Sequence, residues 1–159
     1  MRKLRFLVLL TALLLLCSGC GTSPAPSADL QKLYDSGMAA IEKAVGDAPY
    51  MEQETDKNVL EMMYPGIGEV DTQQLLVCVS PMSGMPAEVV MIEAKDTANA
   101  KRAEDILKAR VASQSADSFY PATVAQWKNA AKVTVNGNYV MLAVMPEGVD
   151  LPDEFLAKF

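Results

Sequence analysis

Two periodicities of hydrophobic and polar residues run along this chain, and together they predict both helices and strands. Apolar residues at helical spacing predict helices over residues 29–45 and 97–115, with a shorter helix over residues 56–63. Runs rich in Val and Ile predict strands over residues 73–80 and 88–94, joined by a hairpin loop. The two kinds of element therefore alternate along the chain.

Capping residues and apolar faces sharpen the helix predictions. Asp29 and Asp96 stand where N-caps are expected, and Gly46 stands where the first helix should stop. The first helix is expected to turn five residues toward the core: Leu30, Leu33, Met38, Ile41 and Val45. The inner side of the longest helix is expected at Ala100, Ala103, Ile106, Leu107, Arg110 and Val111.

The clearest local signal lies near the end of the chain. Asn136-Gly137 separates two alternating runs, and this pair favours a two-residue type I′ turn that would place Val135 opposite Asn138. That pairing gathers the valines and Leu142 on one face of the hairpin, and this face is expected to meet the core.

These elements predict one α+β domain over residues 29–159. It should contain about four antiparallel strands, as two hairpins flanking a long central helix, with helices packed on one face of the sheet. Short helices over residues 122–129 and near residues 150–155 complete the prediction. The order of the strands in the sheet does not follow from the pattern.

The opening of the chain has the three parts of a secretory signal. Arg2, Lys3 and Arg5 supply positive charge, residues 6–16 are almost entirely apolar, and small residues follow. An apolar run of this length spans roughly 16 Å as a helix, about half of a hydrocarbon core, so a permanent transmembrane helix is not expected. Residues 1–19 are therefore predicted to be a signal peptide.

Ser18-Gly19-Cys20 resembles the lipobox of bacterial lipoproteins, in which the cysteine is diacylated and becomes the mature N-terminus. Cys17 occupies the position where Leu is usual. Cys17 is a poorer acceptor because the bulky leucines before it do not suit a cleavage site. Cys20 is thus the predicted lipidation site, with an ordinary cleaved signal and a free or disulfide-bonded Cys20 as the alternative. Residues 20–28 read as a flexible linker, which places the domain on the outer face of the cell membrane.

Charge and composition exclude several classes of function. The net charge is −6, and removal of the positively charged signal leaves −9, which opposes binding to nucleic acid. Histidine is absent, so Ser–His and Cys–His nucleophile pairs and imidazole zinc sites are excluded. Cys78 is the one cysteine left for the folded domain and is expected to pack as a small hydrophobe. No cofactor is expected.

Arg110 is the most informative single residue. It lies on or beside the inner side of the longest helix, where an aliphatic residue would be expected. A half-buried guanidinium needs a partner, and Glu88 or a backbone carbonyl could supply one. Arg110 with Glu88 is therefore either part of a ligand site, such as a clamp for a carboxylate, or a structural ion pair.

The loop between the first two long strands is unusual because it carries Met82 and Met85. Thioethers suit Cu(I), so this loop is a candidate soft-metal site, and methionines also form adaptable contact surfaces. A hairpin loop that happens to contain two methionines is the simpler alternative.

Evidence for catalysis is weak. The chain has no Gly-x-Ser-x-Gly and no Ser-x-x-Lys motif. Carboxylates cluster at three places, where they could act on a sugar bond or simply be solvated: Glu52 with Glu54 and Asp56, Glu104 with Asp105, and Glu147 with Asp150. Trp127, Tyr120 and Tyr139 could line a groove for peptide or glycan, or close the edge of a core.

Four short motifs carry a resemblance to a known family: Ala87-Glu88-Val89, Arg110-Val111-Ala112-Ser113-Gln114, Phe119-Tyr120-Pro121 and Gly137-Asn138-Tyr139-Val140. Over roughly residues 30–145 the chain resembles the DUF4358 lipoproteins of Firmicutes, a family named for its lack of known function. The resemblance implies a Gram-positive cell-surface lipoprotein and supplies no catalytic residue.

The sequence is thus best interpreted as a lipid-anchored, non-enzymatic module that binds another envelope protein or a peptide. A copper-binding lipoprotein using Met82 and Met85 is the second interpretation. An envelope hydrolase that works through carboxylates is the third.

Overall fold

A computed structural model describes residues 27–82, 84–116 and 120–159. The predicted signal peptide and the predicted lipidation site Cys20 lie outside these residues, as does most of the predicted linker. Within the described ranges the chain forms five α-helices and five strands, which confirms the α+β class. In chain order the elements are α1 (Leu30–Val45), β1 (Glu52–Gln53), α2 (Lys57–Met63), β2 (Thr72–Val79), β3 (Glu88–Ala94), α3 (Thr97–Ala116), α4 (Pro121–Ala130), β4 (Lys132–Asn136), β5 (Tyr139–Val144) and α5 (Asp153–Lys158).

The helix ends follow local capping chemistry. The Asp29 carboxylate accepts a hydrogen bond from the Lys32 amide at 3.1 Å, and the Asp96 carboxylate accepts one from the Asn99 amide at 2.8 Å. Each bond satisfies an amide that has no partner inside its own helix. The predicted caps therefore form, and α1 ends at Gly46 as expected.

The sheet is antiparallel, with the order β1-β2-β3-β5-β4. The two predicted hairpins are present as β2–β3 and β4–β5, and β3 pairs with β5 to join them. The prediction of four strands omitted β1, which has only two residues and pairs with the end of β2. So short a strand carries no alternating pattern from which it could be recognised.

The prediction that helices cover one face of the sheet is wrong, since helices pack on both faces. Side chains of α2, α3 and α4 form a core with one face of β2, β3 and β5. Side chains of α1 and α5 form a second core with the opposite face. All seven residues of β3 are consequently buried, which accounts for the apolar run from residue 89 to residue 92.

The register of the β4–β5 hairpin differs from the prediction by two residues. Val135 pairs with Val140, and the loop residues are Gly137 and Asn138. Gly137 has a φ of +60° while Asn138 does not have a positive φ, which is the pattern of a type II′ turn rather than type I′. Asn138 is held by the end of β3, because its carbonyl accepts a hydrogen bond from the Ala94 amide at 2.8 Å. A shift of two residues keeps each side chain on its predicted face.

Two expectations about exposure differ from the structure. Val45, predicted to face the core, is 48% exposed at the last position of α1, and Val135 is 43% exposed on the edge strand β4. Both residues lie at the margin of the fold, where apolar spacing continues although little packs against it.

Across the described ranges, no helix combines the length and the apolar character needed to cross a membrane.

Candidate functional site

The structure brings together the two residues that the sequence singled out. Arg110 donates from Nη2 to Glu88 Oε2 at 2.9 Å and from Nε to Glu88 Oε1 at 3.3 Å, forming a two-point ion pair. The Arg110 and Glu88 side chains are 15% and 4% exposed. Two charges this deeply buried stabilise one another only if their remaining polar atoms are also satisfied.

Two aromatic side chains complete the surroundings of the pair. The Tyr64 hydroxyl donates to Glu88 Oε1 at 2.8 Å. The Arg110 Cζ atom lies 5.5 Å from the centre of the Tyr64 ring and 5.4 Å from that of Trp127. Both distances are within the range of a cation–π interaction. Aromatic walls and a buried carboxylate thus hold the guanidinium in one place.

The pKa values around the pair follow from this packing. Burial alone would lower the pKa of Arg110, but hydrogen bonds and charge from Glu88 outweigh it and raise the pKa above its ordinary value. Burial, followed by the negative charge of Glu88, raises the pKa of Tyr64. Arg110 therefore stays charged and Tyr64 stays neutral, so both remain hydrogen-bond donors to Glu88.

Four elements of the same face position these groups. Glu88 is the first residue of β3, Arg110 lies in α3, Tyr64 caps the end of α2, and Trp127 lies in α4. Gln126 fastens α4 in place, because its Nε2 donates to the carbonyls of Pro86 at 2.7 Å and Met145 at 2.9 Å.

A cleft of about 320 Å³ opens above the ion pair. Its polar lining consists of Ser80, Glu88, Arg110, Gln114 and Thr123, and its apolar lining of Met63, Val79, Met82, Pro86, Ala87 and Trp127. The hydroxyl oxygen of Thr123 is buried, yet it has no hydrogen-bond partner within the described ranges. A buried polar atom without a partner costs free energy, so a ligand group that reached this hydroxyl from the cleft would gain a hydrogen bond.

The cleft offers hydrogen-bonding groups but no excess charge. The positive charge of Arg110 is balanced by Glu88, which lines the same cleft. The bonds from Arg110 to Glu88 use Nε and Nη2. A carboxylate ligand would meet Glu88 at close range, which disfavours the predicted carboxylate clamp in this arrangement.

The methionine loop lies beside this cleft. Met82 and Met85 belong to one turn, in which the Met85 amide donates to the Met82 carbonyl at 3.1 Å. Both side chains are about half exposed, at 49% and 57%. They also line a neighbouring groove of about 290 Å³ with Tyr50 and Val149. Met82, together with Ser80 and Ala87, forms the wall shared by the cleft and the groove.

A second buried carboxylate was missed by the sequence analysis. Glu93 lies near the other end of β3 and on its opposite face, and is 5% exposed. It accepts hydrogen bonds from the Ser27 hydroxyl at 2.6 Å, the Gln74 amide at 2.7 Å and the Tyr139 hydroxyl at 2.7 Å. The sequence did contain a signal for this site. Gln74 and Glu93 are polar residues at core-facing positions of two apolar strands, and such residues need hydrogen-bond partners.

These uncharged donors set the ionisation of Glu93. Burial alone would raise its pKa, but the hydrogen bonds from Ser27, Tyr139 and Gln74 outweigh burial and lower it below the ordinary value of 4.5. The positive charge of Lys158 lowers the pKa of Glu93 further. Glu93 therefore remains a carboxylate at neutral pH, although its hydrogen-bond partners carry no charge.

The two buried carboxylates are too far apart to act on one bond. Five residue steps along a strand separate Glu88 from Glu93 by roughly 17 Å, whereas paired glycosidase carboxylates lie about 5–9.5 Å apart. Among the predicted clusters, Glu104 and Asp105 form ion pairs with lysines on α3. A hydrolase built on the other surface carboxylates remains a prediction.

The three aromatic residues considered for a groove do not come together. Trp127 lines the cleft, Tyr120 precedes α4 and is 51% exposed, and Tyr139 lies on the other face beside Glu93. Cys78 is a buried free thiol, as expected. No group of three or more His, Cys, Asp or Glu side chains in the described part of the chain could hold a metal ion, a result that does not bear on thioether ligands.

Comparison with known proteins gives one match. The family described as "Domain of unknown function (DUF4358)" matches residues 43–145, which is more than half of the chain. This range contains the cleft, the Arg110–Glu88 pair and Glu93, but not the Ser27 segment that contacts Glu93. No curated protein and no solved structure matches the chain.

Proposed function

The chain belongs to the DUF4358 family, for which no activity is established, and we propose from its geometry that it is a non-enzymatic peptide-binding module anchored outside the membrane by lipid. The observation that carries the binding role is the cleft, where the Thr123 hydroxyl, which has no partner among the described residues, belongs to the same lining as a neutralised Arg110–Glu88 pair.

A peptide group fits the chemistry of the cleft. Its carbonyl can accept from Thr123 or from Arg110, and its N–H can donate to a free lone pair of Glu88. Because the cleft has no net charge, a neutral amide enters without an unbalanced charge being buried. The apolar walls, including Met63, Met82 and Trp127, suit an adjacent aliphatic side chain.

The single tryptophan provides a direct measurement, because Trp127 lines the cleft and no other residue contributes indole fluorescence. We would titrate the full chain with acetyl-Ala-Leu-Ala-amide and with the same tripeptide bearing a free C-terminal carboxylate. The neutral peptide should change the Trp127 emission saturably and bind more tightly than the anion, since Glu88 faces the ligand. Equal binding of the two peptides, or no binding, would contradict the proposal.

Matched variants test whether the cleft is responsible. Thr123→Val removes the unpartnered hydroxyl in the cleft and should weaken the neutral peptide about threefold to tenfold, the effect of one hydrogen bond. Thr134→Val removes a hydroxyl that is likewise buried without a partner among the described residues, but it lies on β4 and does not line the cleft, so binding should be unchanged. Equal losses in both variants would count against a site at Thr123.

The anchoring part of the proposal rests on the sequence of residues 1–20. Cys20→Ser should leave an unlipidated precursor, whereas Cys17→Ser should be processed normally, because only Cys20 follows the small residues of a cleavage site. Metabolic labelling with a palmitate analogue measures the lipidation of both variants. Normal labelling of Cys20→Ser would refute the lipid anchor.

Soft-metal binding is a second candidate, favoured by the placement of two exposed thioethers in one turn. Cu(I) titration should show a site that disappears in the Met82→Leu/Met85→Leu variant. Met62→Leu is the control, since Met62 is 75% exposed and outside this loop. Unchanged Cu(I) affinity in the double variant would eliminate this candidate.

A further inference from the structure

The first described residues are fastened to the sheet by a set of hydrogen bonds, which we call the N-terminal latch. It consists of Ser27, Ala28, Gln74, Glu93 and Tyr139. Gln74 Nε2 donates to the Ala28 carbonyl at 2.6 Å and to the Ser27 hydroxyl at 2.7 Å, while the Ala28 amide donates to the Tyr139 hydroxyl at 3.2 Å. Together with the bond from Ser27 to Glu93, these contacts fix Ser27 and Ala28 against the sheet.

The latch is more than a surface contact, because it solvates a buried charge. Glu93 has no cation among its hydrogen-bond partners, and one of its three donors is the Ser27 hydroxyl. Detaching Ser27 would therefore leave a nearly buried carboxylate with one donor fewer, which costs free energy. Next to the latch, Lys158 Nζ lies 3.5 Å from the centre of the Tyr139 ring, so the end of α5 packs against the same tyrosine.

The latch and the cleft lie at opposite ends of the sheet. Glu93 is paired with Tyr139 at the start of β5, whereas Glu88 is paired with Val144 at its end. The two carboxylates are thus roughly 17 Å apart along β3. They also point to opposite faces, since Glu93 lies on the α1 and α5 side and Glu88 on the α3 side.

Covalent geometry connects the latch to the predicted anchor. The six residues between Cys20 and Ser27 span at most about 25 Å, counting the bonds to both neighbours. The latch end of the domain must therefore remain within a short distance of a lipid attached at Cys20. The cleft lies roughly 17 Å from the latch along β3, so its greatest possible distance from that attachment point is larger than that of the latch.

We propose that the N-terminal latch orients the anchored domain so that the cleft faces away from the membrane, toward a peptide segment of a protein presented from outside. This inference rests on the proposed function, because it requires both the lipid anchor and a ligand at the cleft. A membrane-embedded partner or a lipid headgroup would instead need the cleft close to the bilayer surface.

Fluorescence quenching by lipid headgroups tests the orientation. The full chain is recovered in membranes, labelled at Thr97→Cys or at Met85→Cys, and reconstituted with lipids whose headgroups carry a quencher. Thr97 is exposed at the latch end of β3, and Met85 is exposed beside the cleft. The label at residue 97 should lose more fluorescence than the label at residue 85. Equal losses, or a greater loss at residue 85, would overturn the proposal.

A latch variant shows whether these contacts hold the orientation. Ser27→Ala combined with Tyr139→Phe removes two of the three donors to Glu93 and should reduce the difference between the two labels. Ser36→Ala, which removes an exposed hydroxyl on α1, should preserve it. An undiminished difference in the latch variant would overturn the role of the latch.

The two possible failures are distinguishable. Fractionation precedes the quenching measurement, so a chain found in the soluble fraction overturns the lipid anchor and with it this inference. A membrane-bound chain with equal quenching overturns the orientation and leaves the anchor and peptide binding intact.

Discussion

The two buried carboxylates of β3 solve the same physical problem in different ways. Glu88 is neutralised by Arg110, receives a further hydrogen bond from Tyr64, and lies at the base of a cleft. Glu93 has only uncharged donors, and one of them is the hydroxyl of Ser27 at the start of the described chain. The Glu88 end of β3 therefore borders an open cleft, whereas Ser27 of the same chain contacts the Glu93 end.

The difference shows how similar residues acquire different roles. A buried carboxylate needs compensation, and a guanidinium supplies charge and geometry from a single side chain. This leaves space above Glu88 for a ligand. Compensation by several weaker donors requires more of the chain to converge, and at Glu93 the side chains of Ser27, Gln74 and Tyr139 converge on one carboxylate. Glu88 is thus the better candidate for binding and Glu93 for holding the fold together.

The largest expected effect comes from breaking the ion pair. Arg110→Met leaves Glu88 buried without its cation and should lower the free energy of unfolding by about 3–5 kcal/mol. Arg110→Met combined with Glu88→Gln should recover much of this loss, because no charge then remains buried. Urea denaturation measures both. A double variant as unstable as the single one would show that the pair matters through packing rather than charge.

A smaller effect is expected from removing one hydroxyl at each carboxylate. Tyr139→Phe removes a donor to Glu93 and an acceptor for the Ala28 amide, and should cost about 2 kcal/mol. Tyr64→Phe should cost about 1 kcal/mol, because Arg110 still compensates Glu88. The same denaturation experiment compares them, and the reverse order would contradict the proposed difference between the two ends.

The smallest expected effect is a change in pH dependence. The folded-state pKa of Glu93 is lowered, so its stabilising contribution is complete above about pH 4.5 and is lost as the pH falls through the folded value. Glu93→Gln should flatten the loss of stability below that pH, while Glu147→Gln, at an exposed acid, serves as the control. If Glu93→Gln loses stability at low pH as the unmodified protein does, other carboxylates account for the acid dependence.

Local signals predicted the elements of the fold well. The bounds of β3 match the prediction, α3 extends one residue beyond it, and Asp29 and Asp96 cap their helices. These features depend on neighbours in sequence, which the pattern contains. Glu88 was one of the two partners considered for Arg110, beside a backbone carbonyl, because a guanidinium on an apolar helix face requires an acceptor nearby.

Features that depend on distant residues were predicted less well. The register at Gly137 was wrong because Asn138 is held by the end of β3, a contact that the hairpin sequence does not reveal. Coverage of both sheet faces was missed because the docking of α5 depends on Gly37, where an added Cβ would collide with the Phe155 ring. A glycine inside a predicted helix does not by itself disclose which side chain approaches it.

The sequence alone determined the class of fold, the helices with their caps, the strands of both hairpins and the family to which the chain belongs. These follow from hydrophobic periodicity, turn chemistry and short motifs, all of which act over a few residues. The tertiary structure decided that β3 has a cleft at one end and the chain's own N-terminal segment at the other. That outcome depends on hydrogen bonds between residues as far apart as Ser27 and Glu93, which form only when the whole sheet has assembled.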